Sequence, residues 1–152
     1  MRHASVKRAL LLLLTLVSLS GCSAPAGSSA SAVSLTGEQV ASSLRESGLP
    51  VQDIVIFTPQ TDPNGYLGRP GQYVVKVSWK DTRQTGTSTI ELFEALDLAQ
   101  ARAIDVQRIT EENPALRQYI YHQRGAVLRV PTAGITADQA KEYESWLTRL
   151  VA

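Results

Sequence analysis

The chain has one cysteine and two histidines, and this scarcity excludes several kinds of chemistry. Because Cys22 is the only cysteine, no disulfide can form within the chain. His3 and His122 are too few for most zinc sites, which need three or four nitrogen or sulfur ligands. The sequence also has no Gly-x-Ser-x-Gly nucleophile elbow and no glycine-rich phosphate loop. It therefore predicts no catalytic residues, no metal and no cofactor.

The charge of the chain is close to balanced. Residues 1–21 hold three of the 15 basic residues and none of the 14 acidic ones, which leaves 12 positive and 14 negative charges on the rest. Such a balance argues against a nucleic-acid partner, which would call for a basic surface. There is also no polybasic segment that could bind anionic lipid headgroups.

The apolar block near the N-terminus is too short to cross a membrane. It runs from Ala9 to Leu19, 11 residues, whereas a helix that spans a bilayer needs about 20. Three basic residues precede the block, and the small residues Ser20 and Gly21 follow it. A charged start, a short apolar middle and a small-residue end are typical of a secretory signal. We therefore predict a signal peptide over residues 1–21.

The segment Leu19-Ser20-Gly21-Cys22 ends this signal. An aliphatic residue, two small residues and a cysteine resemble the lipobox of bacterial lipoproteins. The resemblance implies cleavage between Gly21 and Cys22, and a diacylglyceryl thioether on the Cys22 sulfur. Two acyl chains anchor a protein stably where a single chain binds only marginally. We expect a lipoprotein on the extracytoplasmic face of a cell membrane; the alternative is an ordinary secretory signal followed by a chance cysteine.

The residues after Cys22 predict a flexible connection. Ser23 to Val33 are small or polar, with one proline, so they cannot bury enough apolar surface to offset the entropy of ordering. A coil of this length spans roughly 18 Å. We therefore assign residues 22–33 to the lipidated cysteine and its tether, and residues 34–152 to one soluble domain.

Helix signals are clearest at two Thr-x-x-Gln segments, which predict capping boxes at Thr36 and Thr136. Gly48 predicts the end of the first helix. A central helix is predicted over residues 97–112, with Asp97 as its cap. Its inner face is a stripe of small apolar residues, which Arg102 interrupts.

Alternating and β-branched residues predict five strands. These strands cover residues 51–57, 73–80, 87–93, 118–122 and 126–130. The resulting order α-β-β-β-α-β-β-α is typical of an α+β domain. We expect a single antiparallel sheet of about five strands with helices mainly on one face.

Residues 58–71 form an unusually long connection of 14 residues, and such loops are often functional or mobile. Tyrosine and arginine are favoured at binding hot spots. The loop and the strand after it resemble those of small actinobacterial lipoproteins, a resemblance that implies no activity. Asp62 to Gly65 predict a turn rather than a calcium loop, which would need more carboxylates. The candidate contact residues are Asp62, Asn64, Tyr66 and Arg69.

Three functions remain open. The first is a non-enzymatic domain that contacts another envelope component through the 58–71 loop. The second is a small-molecule binder with a cleft between the sheet and the helices. The third is a hydrolase that uses His122 or paired carboxylates. The candidate carboxylate pairs for a hydrolase are Glu91 with Glu94, and Glu111 with Glu112. The first pair is predicted at a strand edge and the second at a helix end. At both places, charges exposed to solvent are the more usual interpretation.

Overall fold

The computed structural model describes residues 31–152, which form one α+β domain. The predicted signal peptide, Gly21, Cys22 and residues 22–30 of the predicted tether lie outside the described residues. The helices are α1 (Gly37–Glu46), α2 (Leu96–Glu112) and α3 (Ala137–Leu150), with a short 3-10 helix at Pro114–Leu116; the strands are β1 (Val51–Ile56), β2 (Val75–Asp81), β3 (Ser88–Leu92), β4 (Gln118–Gln123) and β5 (Ala126–Pro131). The predicted order of helices and strands is confirmed.

The five strands make one antiparallel sheet in the order β1-β2-β3-β5-β4. A short turn joins β2 to β3 and another joins β4 to β5, whereas β1 reaches β2 through the long 58–71 loop; β3 pairs with β5 and leaves β4 at the edge. The opposite edge strand, β1, is irregular, because Asp53 has a left-handed φ of 52° where the register shifts against β2. Such a bulge at an edge strand hinders pairing with another sheet.

One face of the sheet carries α1 and α3 over the larger apolar core. Trp79 on β2 lies at the centre of this core, with its ring centroid 5.7 Å from that of Trp146 and 5.8 Å from that of Tyr143. All three side chains are almost fully buried. Large aromatic side chains dominate core energetics, so this cluster fixes α3 on the sheet.

The opposite face carries α2 and the 58–71 loop over a second apolar cluster. Ala99 and Ala103 of α2 pack beside Phe93 and Val127, and Tyr73 lies beneath the loop. Two of the three helices therefore share a face, in line with the expectation, while α2 lies on the other. Its small residues allow that close approach.

Both predicted capping boxes are present, at Thr36 and at Thr136. The predicted cap of α2 is wrong: the helix begins at Leu96, and Ala95 occupies the cap position without a side-chain hydrogen bond. Asp97 instead lies in the first turn of the helix. There its negative charge interacts favourably with the helix dipole.

The contacts of the domain extend to Val33, one residue before residue 34, where we predicted the domain to start. The Val33 amide donates a hydrogen bond to the carbonyl oxygen of Arg124 at 2.9 Å, and the Val33 side chain packs against the larger core. An apolar side chain gains by leaving water, so Val33 belongs to the domain rather than to the tether. The chain thus enters the domain at the β4–β5 turn, which we call the entry end of the sheet.

No helix within residues 31–152 is long and apolar enough to cross a membrane.

Candidate functional site

A cleft of about 510 Å³ opens between α2, the 3-10 helix and the sheet. Pockets that hold small ligands usually have volumes of about 300–1,000 Å³. The side chains and backbone that line it come from Thr85, Gly86, Arg102, Val106, Ile109, Pro114 to Gln118, Arg129 and Pro131 to Ala133. We call this space the arginine cleft.

The arginine cleft lies at the end of the sheet opposite the entry end. Its wall includes the first residue of β4, Gln118, and the last of β5, Pro131, which pair across the two strands. The β2–β3 connection contributes Thr85 and Gly86. The six residues of β5 separate the cleft from the β4–β5 turn, a distance of about 16–20 Å at the usual rise per residue.

Apolar side chains form much of the wall. Val106 is buried, whereas Ile109 and Leu116 remain 40% and 51% exposed at the rim. Exposed apolar surface next to a concavity is characteristic of a binding site rather than of ordinary protein surface. The cleft therefore offers an apolar wall to an incoming molecule.

Two guanidinium groups and one carboxylate meet beneath this wall. Glu91 on β3 is completely buried and accepts hydrogen bonds from Arg102 Nε at 2.8 Å, from Arg102 Nη2 at 3.2 Å and from Arg129 Nη2 at 2.8 Å. One negative charge thus faces two positive charges. The group carries a net positive charge, and Arg117 adds a further exposed cation to the lining.

The fold brings these three residues together from three elements. Glu91 and Arg129 lie on adjacent strands, two positions apart in the β3–β5 register, because Glu91 is opposite Val127. Residues two apart in a strand point to the same face of the sheet. Arg102 reaches the pair from α2, where it stands beside the small residues that let the helix approach the sheet.

Arg129 has an unsatisfied donor. Its side chain is 18% exposed, yet its Nε is buried and has no hydrogen-bond partner among the described residues. A buried N–H without a partner costs free energy, and because this Nε is enclosed, a molecule in the cleft meets the exposed part of the guanidinium instead. Burial lowers the pKa of Arg129, and Glu91 opposes that shift. A guanidinium nevertheless stays charged in proteins, so the unmet donor carries positive charge.

Arg102 is held more completely than Arg129. Burial is the largest single effect and would lower the pKa of Arg102, but the hydrogen bonds to Glu91 and its negative charge together outweigh burial and raise the pKa. Asp105, which is exposed on α2, adds a smaller effect in the same direction. Arg102 gives two nitrogens to Glu91 and Arg129 gives one, so Arg129 keeps more of its donors for another acceptor.

The 58–71 loop is fixed by a buried carboxylate. Asp62 accepts hydrogen bonds from Lys76 Nζ at 2.6 Å and from the Tyr73 hydroxyl at 2.7 Å. The backbone amides of Tyr66 and Leu67 donate to it as well, at 2.9 and 3.1 Å. Burial would raise the pKa of Asp62, but these hydrogen bonds outweigh it and hold the pKa well below its usual range.

The four candidate contact residues therefore differ. Asp62 is buried and stabilises the loop, so it offers no contact surface. Asn64, Tyr66 and Arg69 are exposed, and the Arg69 guanidinium carbon lies 5.9 Å from the centroid of the Tyr66 ring. The predicted turn is present, since the Gly65 amide donates to the Asp62 carbonyl oxygen at 3.0 Å.

The other sequence candidates do not meet in one place. Glu91 was expected to be solvated, and this was wrong, because β3 is an inner strand rather than an edge. Glu94 is exposed, as are Glu111 and Glu112 at the end of α2. His122 is exposed on β4 near the entry end, away from the arginine cleft. Within residues 31–152, no three His, Cys, Asp or Glu residues are placed to hold a metal ion.

Comparisons with protein families, with curated proteins and with solved structures found no match to this chain.

Proposed function

We propose that this chain is a lipid-anchored, non-enzymatic binding protein of the cell envelope, and that the arginine cleft holds a small molecule. The observation that supports a small ligand is the cleft itself. It combines an apolar wall with a guanidinium group whose Nε has no partner. A few well-placed polar groups in a mainly apolar concavity are the usual composition of a ligand site.

The lining of the cleft favours binding over catalysis. Among its residues in the described part of the chain there is no carboxylate, histidine, serine or cysteine, so its two threonines, Thr85 and Thr132, have no general base in the lining. General acid–base or nucleophilic catalysis would need at least one such group within reach of the ligand. The hydrolase hypothesis therefore has less support than the binding hypothesis.

Filling the cleft should abolish binding of small molecules there. Ala133 lines the cleft and is exposed, so we expect Ala133→Trp to fold normally and to occupy part of the space. Ala137→Trp is a matched control, because Ala137 is exposed at the start of α3 and does not line the cleft. The measurement is ligand-observed NMR with a chemically diverse fragment library. If the fragments that bind the unaltered chain bind Ala133→Trp equally well, their site lies elsewhere.

The anchor rests on Leu19 to Cys22 and on the short apolar block before them. We expect Cys22→Ala to abolish both cleavage after Gly21 and sedimentation with membranes, because the thiol that would carry the acyl chains is gone. Intact-mass analysis and membrane fractionation measure the two effects, and globomycin treatment of the unaltered protein should reproduce the loss of cleavage. A Cys22→Ala protein that is still trimmed at the same bond and still sediments would contradict lipid anchoring.

A second candidate function is contact with an envelope protein through the 58–71 loop. The exposed pair Tyr66 and Arg69 favours it, because the buried Asp62 network holds the segment that presents them. A rigid aromatic–arginine pair loses little conformational entropy on binding. Photo-crosslinking from position 66 in intact cells tests this candidate, with the exposed Val55 on β1 as the control position. Equal recovery of partners from both positions would rule against the loop.

A further inference from the structure

We infer that the ligand of the arginine cleft is a soluble organic anion, a carboxylate or phosphate monoester with a small apolar group, whose acid group binds Arg129. This inference rests on the proposed small-molecule function and specifies the chemistry of the ligand. It follows from three features of the cleft, which are its charge, its unmet hydrogen bond and its position.

The charge of the cleft selects an anion. Glu91 neutralises one of the two guanidinium groups that contact it, and it is itself completely buried beneath them. Its charge is thus directed at the arginines rather than at the open space. The lining contains no other acidic residue among those described, so a cation would meet unopposed positive charge. An anion would neutralise it.

The unmet hydrogen bond selects an oxyanion. Arg129 uses Nη2 toward Glu91, which leaves the buried Nε without a partner. A guanidinium presents its N–H groups as a planar fork, which matches the spacing of two oxygens on a carboxylate or a phosphate. Nη1 of Arg129 makes no hydrogen bond to the described residues and is not enclosed as Nε is, so an acid group in the cleft would bind there, in a partly dry environment where charged hydrogen bonds are strong.

The apolar wall requires more than an inorganic ion. Val106, Ile109, Leu116 and Pro131 surround the space in front of the arginines. Inorganic phosphate would leave that wall in contact with water. A short alkyl or aryl group would cover it and gain about 25 cal/mol for each Å² removed from water.

The position of the cleft favours a soluble source over a membrane lipid. The chain enters the domain at the β4–β5 turn, where Val33 bonds to Arg124, and the cleft lies at the other end of the sheet. An anchor at Cys22 would draw the entry end toward the membrane. The cleft lies at the end of the sheet farther from that attachment point, which favours molecules in the extracytoplasmic solution over headgroups.

Four six-carbon probes test the inference, because they share an apolar part and differ in the head group: hexanoate, hexyl phosphate, 1-hexanol and hexylamine. The protein is the chain from residue 22 with Cys22→Ser, which contains both apolar clusters and all five strands of the described domain. Isothermal titration at low salt should show binding of both acids, at least tenfold weaker binding of hexanol and no binding of hexylamine. This comparison does not depend on the folding of a site variant.

Arg129→Met removes the fork and keeps a side chain of similar length. Glu91 retains Arg102 as its partner in this variant, so the fold should persist. We expect at least a tenfold loss of affinity for hexanoate and hexyl phosphate, the loss of one charged hydrogen bond. Arg149→Met is the matched control, since Arg149 is exposed on α3 and outside the cleft; its affinities should be unchanged.

The outcomes separate this inference from the proposed function. If hexanol or hexylamine binds the cleft as well as the acids do, the cleft is a ligand site but the anion inference is wrong. The anion inference is also wrong if Arg129→Met binds hexanoate and hexyl phosphate as tightly as the unaltered chain does. If neither these probes nor any fragment of the library binds, both proposals fail. A further outcome is that the chain binds phosphatidylglycerol vesicles more tightly than hexyl phosphate, with the vesicle binding weakened by Arg129→Met. That result would overturn the inference that the ligand is a soluble molecule rather than a membrane lipid.

Discussion

Replacing Glu91 by glutamine is expected to lower the free energy of unfolding by about 3–5 kcal/mol, the usual cost of removing one partner from a buried ion pair. Glu91 is completely buried and is the shared acceptor of Arg102 and Arg129. Glutamine keeps the shape of the side chain and removes its charge. Two guanidinium groups would then face each other across a neutral amide, largely out of water. Equilibrium denaturation in urea measures the change.

The control for this prediction is the neighbouring carboxylate Glu94. It is exposed, and its replacement by glutamine should change stability by less than about 0.5 kcal/mol. Replacing Glu91, Arg102 and Arg129 together by apolar residues of similar volume should recover most of the lost stability, because no unpaired charge would remain. A single Glu91→Gln variant as stable as Glu94→Gln would show that the carboxylate does not hold the two arginines.

Replacing Asp62 by asparagine is expected to cost about 3 kcal/mol and to loosen the 58–71 loop. Lys76 is 5% exposed and its ammonium lies 2.6 Å from the Asp62 carboxylate, so the variant would leave a buried cation without a counter-charge. Asparagine has one acceptor oxygen where aspartate has two, so it could not accept from both Lys76 and the amides of Tyr66 and Leu67. Limited proteolysis within residues 58–71, together with urea denaturation, measures both effects.

The exposed pair of Lys80 with Asp53 is a matched control, since its atoms lie 3.0 Å apart but both side chains are more than half exposed. Asp53→Asn should cost less than about 1 kcal/mol, because water already solvates both partners. Equal costs for Asp62→Asn and Asp53→Asn would mean that the 58–71 loop does not depend on its buried carboxylate.

The effect of Asp62 on stability should depend on pH in one direction. Its pKa is held below the ordinary carboxyl value, which is about 3.9 in an unfolded chain. The folded state therefore binds fewer protons than the unfolded state as the pH falls through that value. The stability difference between the unaltered chain and Asp62→Asn should be constant from neutral pH to about pH 5 and shrink in more acidic solution.

The starts of α1 and α3, and the order of helices and strands along the chain, were predictable from the sequence because they depend on local patterns. Thr36 with Gln39, and Thr136 with Gln139, form the same two hydrogen bonds wherever such a segment opens a helix. The alternation in β2 likewise fixes which side chains face the larger core. The pairing of β3 with β5 was not predictable, because it joins segments that are distant in the chain.

The arginine cleft was not predicted, although the sequence holds a signal for it. Arg102 interrupts a stripe of small apolar residues, and Arg129 stands between Leu128 and Val130 in an otherwise apolar strand. A charge inside an apolar pattern must find a partner when it is buried. Glu91 is that partner, but the contact joins two strands and a helix. Only the strand order reveals that the three side chains meet.

The unpartnered Nε of Arg129 gives the most direct test of the proposed ligand site. The measurement is ¹⁵N NMR of the arginine side-chain Nε–Hε groups during titration with hexyl phosphate, with assignment from the Arg129→Met spectrum. We expect the Arg129 signal to shift, because the bound acid group lies against its guanidinium, while the signals of exposed arginines such as Arg149 stay in place. A titration in which hexyl phosphate binds and the Arg129 signal does not move would contradict the assignment of this cleft as the site of an organic anion.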